Sequence, residues 1–211
     1  MAQDFPKIHS PFIRKTINEK YLVTSEIDPK YKWVFEEITF ATDKIDGTNI
    51  SIKVKNGKIE SVYNRTNEKF IFNVQEQTKW EGACLEGIAK AIQKGWLKNF
   101  QDGYYYGELI GEIFNTNHHQ LQGHLFVPFE YLRQHCFWKT WTQNKYPKDF
   151  NTISEWFKDL PSLFNQRLKL PEIKAEGLVF YNLDGTKMAK LRRDMFDWYF
   201  IDNPNAKAHK E

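Results

Sequence analysis

The chain has 211 residues, 41% of them hydrophobic and 16% aromatic, enough apolar material for one compact domain with a substantial core. Its 30 basic and 27 acidic residues leave a net charge of +3, which excludes a histone-like or polyanion-coating protein but leaves room for a local basic groove. Two cysteines with no C-x-x-C pair, no apolar run of spanning length and no signal pattern point to a soluble cytoplasmic protein with reduced thiols.

In chain order, residues 1–30 carry prolines at 6, 11 and 29 and read as an irregular lead-in. Residues 31–40 are aromatic and β-branched and predict a strand. Lys44-Ile45-Asp46-Gly47-Thr48-Asn49 follows, in the form Lys-x-Asp-Gly-x-Asn. A lysine so placed can attack a nucleotide phosphate. An Asp-Gly pair between alternating segments is also a hairpin signal beside a solvated lysine. Next, 48–54 alternates, with Ile50, Ile52 and Val54 on one face and Asn49, Ser51 and Lys53 on the other. Asn56-Gly57 predicts a type I′ hairpin into 59–63. Residues 77–96 have helical spacing and end at Gly95. Strands are expected over 104–113 and 125–132. Thr152-Ile153-Ser154-Glu155 has capping-box form and predicts a short helix to about 160. Asp184-Gly185 predicts a second hairpin, between 177–181 and 186–191. The pattern reads as α+β with antiparallel sheets flanked by helices.

Four further segments carry chemistry-bearing side chains. Tyr106-Gly107-Glu108-Leu109-Ile110-Gly111 puts a carboxylate in a strand beside glycines. Phe129-Glu130 is expected to end the strand after it. Glu176-Gly177-Leu178-Val179 opens another, and Lys190-Leu191-Arg192 closes the last, with both cations on one face.

Together with Tyr63-Asn64-Arg65, these segments resemble the covalent nucleotidyltransferase superfamily of ATP-dependent DNA and RNA ligases and messenger-RNA capping enzymes. The resemblance covers six short motifs in order over about 150 residues: 44–49, 63–65, 106–108, 126–130, 176–179 and 190–192. The asparagine at 49 and the Tyr-Gly-Glu-Leu run look most like the RNA ligases that seal nicks in duplex RNA. Two positions depart from the pattern. Phe129-Glu130 stands where Phe-Asp is usual, and Lys190-Leu191-Arg192 where Lys-x-Lys is usual; arginine keeps the charge but not the geometry of lysine.

The resemblance implies an ATP-dependent RNA ligase that joins 5′-phosphate and 3′-hydroxyl ends through lysyl-AMP. It also leaves open a DNA-nick ligase, a capping-type guanylyltransferase, or a catalytically silent nucleic-acid-binding domain on the same fold. Lys44 would be the nucleophile, Glu108 the acceptor for the ribose 2′-hydroxyl, and Phe129 the adenine stack. Glu176 would hold Mg2+ or Mn2+ through water, and Lys190 and Arg192 would contact phosphate. Arg65 would meet ribose or phosphate, Asp46 and Asn49 would shape the nucleophile loop, and Gly47 would let backbone approach the nucleotide. The implied cofactors are ATP and the divalent ion; the implied partner is RNA, nicked or otherwise held in a duplex.

Nineteen residues follow Arg192. A single minimal nucleotidyltransferase domain without a C-terminal OB-fold is therefore expected, with 194–211 as a short tail and a partner subunit as one way to replace the appended domain. The stretch 133–148 contains no acid and interleaves Arg133, Lys139, Lys145 and Lys148 with Phe137, Trp138, Trp141 and Tyr146. It is an RNA-binding candidate, with a half-buried excursion as the equal alternative. His118, His119 and His124 lack partnered ligands at metal spacing and read as loop histidines.

Overall fold

The computed structural model describes residues 5–69, 71, 72, 75, 77–97, 101–142 and 148–206. The chain forms two compact units. One comprises Ile45–His135 and Arg167–Pro171 with Phe5 and Pro6; the other comprises Lys7–Lys44, Cys136–Gln166 and the residues from Glu172 onward. One of the five crossings between the units falls at the peptide bond between Lys44 and Ile45. Both units are built on antiparallel sheets with helices, as an α+β reading requires.

Residues 12–27 form a hairpin of β1 (Phe12–Ile17) and β2 (Lys20–Ile27), in place of the irregular lead-in predicted there. Its turn residues Asn18 and Glu19 both have positive φ, 48° and 63°. The Asn-Glu pair takes the backbone that Asn-Gly usually supplies, so the usual turn signal is missing. The strand predicted over 31–40 is instead a helical turn, α1 (Trp33–Glu36), followed by β3 (Thr39–Lys44). Trp33 and Val34 are consecutive and both buried, a pattern that a half-exposed strand cannot satisfy.

In the first unit, β4 (Thr48–Lys55) and β5 (Lys58–Asn64) form the expected hairpin, with Asn56 and Gly57 at φ 52° and 69°. A short β6 (Asn67–Lys69) extends it. Helix α2 (Lys79–Gln93) begins with a capping box between Thr78 and Glu81. It ends in a Schellman motif, with Gly95 N donating to Ile92 O and Trp96 N to Ala91 O. Strands β7 (Gly103–Gly111) and β8 (His124–Pro128) complete a sheet of order β6-β5-β4-β7-β8. Ile50, Ile52, Leu109 and Phe126 of the sheet bury against Cys84 and Ile88 of α2. Phe129-Glu130 does not end a strand; it starts α3 (Phe129–His135). Pro128 cannot donate to a longer ladder, and Glu130 instead pairs with Arg133 and Gln134 one turn on.

The second unit adds α4 (Lys139–Thr142), α5 (Phe150–Lys158), all but the last two residues of α6 (Leu163–Leu168), β9 (Gly177–Asn182), β10 (Met188–Arg192) and α7 (Asp197–Asp202). The capping box predicted at 152–155 is absent. Asp149 caps α5 and accepts from Thr152 N at 3.0 Å, which places Thr152 inside the first turn. Strands β9 and β10 pair around Asp184-Gly185 as predicted, and the sheet order is β10-β9-β3. Ala41, Leu178, Phe180 and Leu191 from this sheet pack against Trp141, Ile153 and Phe157. Trp138 and Trp141 are therefore core, and Trp141 Nε1 donates to Thr39 Oγ1 at 2.9 Å. They offer no exposed stacking surface. Cys84 and Cys136 are free and buried, and burial pushes the Cys84 thiol up to about 12. No helix among the described residues is long and apolar enough to cross a membrane.

Candidate active site

In the second unit, register brings three cations to one sheet face. Lys44 lies opposite Gly177, and Gly177 opposite Arg192. Two positions away, Thr42 lies opposite Val179 and Val179 opposite Lys190. Residues directly across a ladder, and those two apart along a strand, share a face. Lys44 Nζ donates to Glu176 Oε2 at 2.6 Å, with both side chains about one-fifth exposed. The lysine stem runs across Gly177, where a Cβ would sit 3.1 Å from Lys44 Cδ and 2.7 Å from Leu191 O. Glycine thus makes the room that the lysine uses. Arg192 Nη2 pairs with Asp194 Oδ2 at 2.7 Å; that acid, two residues beyond the predicted motif, was not singled out in the sequence.

The residue before the lysine points the other way. Asp43 lies on the core face of β3 and is fully buried. Its Oδ2 accepts from Ser162 Oγ at 2.7 Å and from Phe164 N at 2.9 Å, while Ser162 Oγ accepts from Asn165 N at 3.2 Å. The carboxyl therefore ties the end of β3 to the first turn of α6. Burial pushes it up to about 7; the Phe164 and Ser162 hydrogen bonds oppose that rise and the nearby charge of Glu176 adds to it. Alternation around Lys44 was the sequence signal for this residue: a cation facing out at 44 puts Asp43 facing in.

In the first unit, the Asp46-Gly47 turn is held by a loop that follows β7. Asn115 Nδ2 donates to Asp46 Oδ1 at 2.6 Å and to Gly47 O at 3.1 Å. Asp46 N donates to Nε2 of His119, which is 1% exposed. The loop takes its shape from positive φ at Asn115, Asn117 and Gln120. Neither Asn115 nor His119 was legible as a partner of this turn, although Asn115-Thr116-Asn117 has the composition of left-handed backbone. Gly47 serves packing: a Cβ there would lie 2.6 Å from Leu109 O.

Asn49 and Glu108 face each other across β4 and β7, and Asn49 Nδ2 donates to Gly107 O at 3.4 Å. Tyr104 and Tyr106 stack on the same face, with ring centroids 6.1 Å apart. Phe129 packs its ring 4.7 Å from that of Phe5, which also touches Tyr106. Arg65 stands apart at the exposed turn between β5 and β6, with φ 55°.

Of the basic candidates, Arg133 is ion-paired with Glu130, and Lys139 opens α4 exposed. Lys148 Nζ lies 4.9 Å over the Trp141 ring, and burial holds its ammonium below the usual lysine range. Lys145 lies outside the described residues. His124 Nδ1 meets Glu86 Oε2 at 2.6 Å, and Glu86 also pairs with Lys90. Against the cost of burial, these hydrogen bonds hold the Glu86 carboxyl down at about 2. No group of three or more His, Cys, Asp or Glu among the described residues is placed to hold a metal.

No protein-family model matches the sequence, and no curated protein matches it. The fold matches solved structures of a Naegleria gruberi RNA ligase. One, with pyrophosphate, aligns at TM-score 0.50 and 18% identity over 97% of this chain and 60% of that one. Another, a variant with ATP and manganese, aligns at TM-score 0.51 and 19% identity over 94% of this chain and 62% of that one. The chain spans about 60% of the length of the ligase structures it matches. At this identity the likeness concerns the fold: that of an RNA ligase, with its adenylyltransferase domain.

Proposed function

We propose that the chain is an ATP-dependent RNA ligase that works through a lysyl-AMP intermediate. The observation that carries this reading is Lys44 at the end of β3, hydrogen-bonded to Glu176 and sharing a sheet face with Lys190 and Arg192. The likeness to an RNA ligase fold, in a structure that holds ATP and manganese, supports the same reading.

In the first step Lys44 Nζ attacks the α-phosphorus of ATP. A P–N bond forms, the α–β bridging P–O bond breaks, and pyrophosphate leaves; the amine gives up its proton to solvent water. An ammonium is not a nucleophile, and neighbouring positive charge favours proton loss from a lysine. Lys190, and Arg192 beside its partner Asp194, would supply that charge and meet the phosphoryl oxygens. Glu176 holds Nζ in position at rest. In the second step the 5′-phosphate oxygen takes AMP and the P–N bond breaks. In the third, the 3′-hydroxyl displaces AMP and closes the phosphodiester.

A lone carboxylate such as Glu176 fits Mg2+ or Mn2+, whose other ligands would be water and phosphate oxygen. Such an ion supplies charge neutralisation on the phosphates. Glu108 is assigned to the ribose, Asn49 to the nucleophile loop and Phe129 to the adenine by the resemblance alone. Asp46 and Gly47 gain a fixed backbone from Asn115 and His119. Arg65 is assigned to ribose or phosphate by the resemblance alone.

RNA is the proposed partner, with Lys139 and Lys148 as candidate backbone contacts. The two compact units are read together as one ligase domain. A template strand reduces what the protein must supply in holding two ends in line. Sealing of a pre-adenylylated nick in duplex RNA is therefore expected to outpace sealing of single-stranded RNA of the same sequence. Single-turnover kinetics measures this. Faster joining of the free strand contradicts the duplex preference, and no joining of either contradicts the ligase.

A further inference from the structure

The β1–β2 hairpin and the turn after it enclose a cleft of about 320 Å³, within the range of small-ligand sites. His9, Arg14, Tyr21, Asp28, Lys30 and Tyr31 are among its lining residues. Three of these six are basic types and two are tyrosines. The one acid, Asp28, already accepts a hydrogen bond from Lys30 N at 2.9 Å as it caps the following 3-10 turn.

Arg14 is the best-fixed member. Its guanidinium lies 4.0 Å over the ring of Tyr21, and Nη2 donates to Tyr21 O at 2.5 Å. Stacking and a backbone hydrogen bond hold the planar fork in one orientation before any ligand arrives, so less side-chain freedom remains to be lost on binding. Lys30 projects from an exposed position on the turn, free of the packing that restrains Arg14. A fixed guanidinium, an exposed ammonium and ring surface together suit a phosphate with a nucleoside attached.

The cleft is also joined to the strand of the proposed chemistry. Lys190 N donates to His9 O at 2.8 Å. The segment that forms one wall of the cleft therefore covers the outer edge of β10, whose side chains include Lys190 and Arg192.

We propose that this cleft binds a phosphodiester of the RNA substrate, with Arg14 and Lys30 on the phosphate and the tyrosines beside the base and ribose. This rests on the ligase reading for the identity of the polynucleotide. It assigns to the hairpin a grip used after self-adenylylation, when RNA ends must be held.

The test measures binding of 5′-phosphorylated nicked duplex RNA to the full chain across a salt series, for the native protein, Arg14→Ala/Lys30→Ala and Lys30→Glu. Each phosphate contact contributes about 0.9 to the slope of log affinity against log salt on a duplex. The double variant is expected to flatten that slope by about 0.9 and weaken binding roughly tenfold at moderate salt, with AMP uptake from ATP unchanged. Lys30→Glu, at an exposed side chain, is expected to weaken binding at least as much as loss of one contact, and it keeps the test alive if the double variant unfolds. Unchanged RNA affinity and slope in Lys30→Glu would overturn the proposal. So would competition of the RNA from the cleft by inorganic phosphate alone at constant ionic strength, which marks a small-anion site. Failure of the native protein to take up AMP would remove the ligase reading and leave the RNA-binding result standing.

Discussion

Lys44→Ala is expected to abolish AMP uptake while the protein stays folded. Lys44 Nζ is held on Glu176, and Lys190, two positions along the same sheet face, would have to reach a differently placed α-phosphate. The structural cost is small. Lys44 is about one-fifth exposed, and loss of one partly exposed ion pair costs about 1 kcal/mol or less, a few degrees in melting temperature for a chain of this size. Lys44→Arg separates charge from nucleophilicity. The guanidinium can keep the contact with Glu176 but stays protonated in proteins, so this variant should also remain unlabelled and melt close to the native protein. Either variant taking up AMP at the native rate would remove Lys44 from the mechanism.

Asp43 predicts the largest pH effect on stability. Its carboxyl is fully buried and lies at about 7 in the fold, against 3.8 when unfolded. The folded state therefore binds this proton more tightly than the unfolded chain does. Below about pH 4 both states hold the proton and the group costs nothing. As pH rises from about 4 to 7 the unfolded chain releases it first, and stability falls by up to about 4 kcal/mol at roughly 1.4 kcal/mol per unit. Above about 7 the loss levels off. Asp43→Asn is expected to remove this slope, because the amide oxygen still accepts from Ser162 and Phe164 and no charge has to be buried. Denaturant melts at pH 5 and 7.5 measure it. A native protein as stable at pH 7.5 as at pH 5, or an Asn variant with the native slope, would show that Asp43 does not control it.

The parts of the site that were legible in the sequence are those fixed by short-range rules. Alternation placed Lys190 and Arg192 on one face, and it put Ile50, Ile52 and Val54 in the core. Asn56-Gly57 and Asp184-Gly185 marked two hairpins through their backbone preferences. What the sequence hid depends on contacts between distant segments. The Asn115 and His119 clamp on Asp46-Gly47 spans about seventy residues of chain. Asp43 reaches Ser162 and Phe164 across a still longer separation. The β1–β2 hairpin escaped because Asn18-Glu19 adopts a glycine-like turn without a glycine. The stretch 133–148 left two readings open because its tryptophans fit an exposed stacking surface and a half-buried excursion equally well in composition; Trp141 is wholly buried.

The central claim is that Lys44 forms a covalent bond to AMP. It is tested most directly by intact mass of the native chain after incubation with ATP and magnesium, in parallel with GTP, followed by peptide mapping. The account predicts a gain of one AMP from ATP, little or none from GTP, and the adduct on the peptide that contains Lys44. No mass gain with either nucleotide, or an adduct on any other residue, would contradict it.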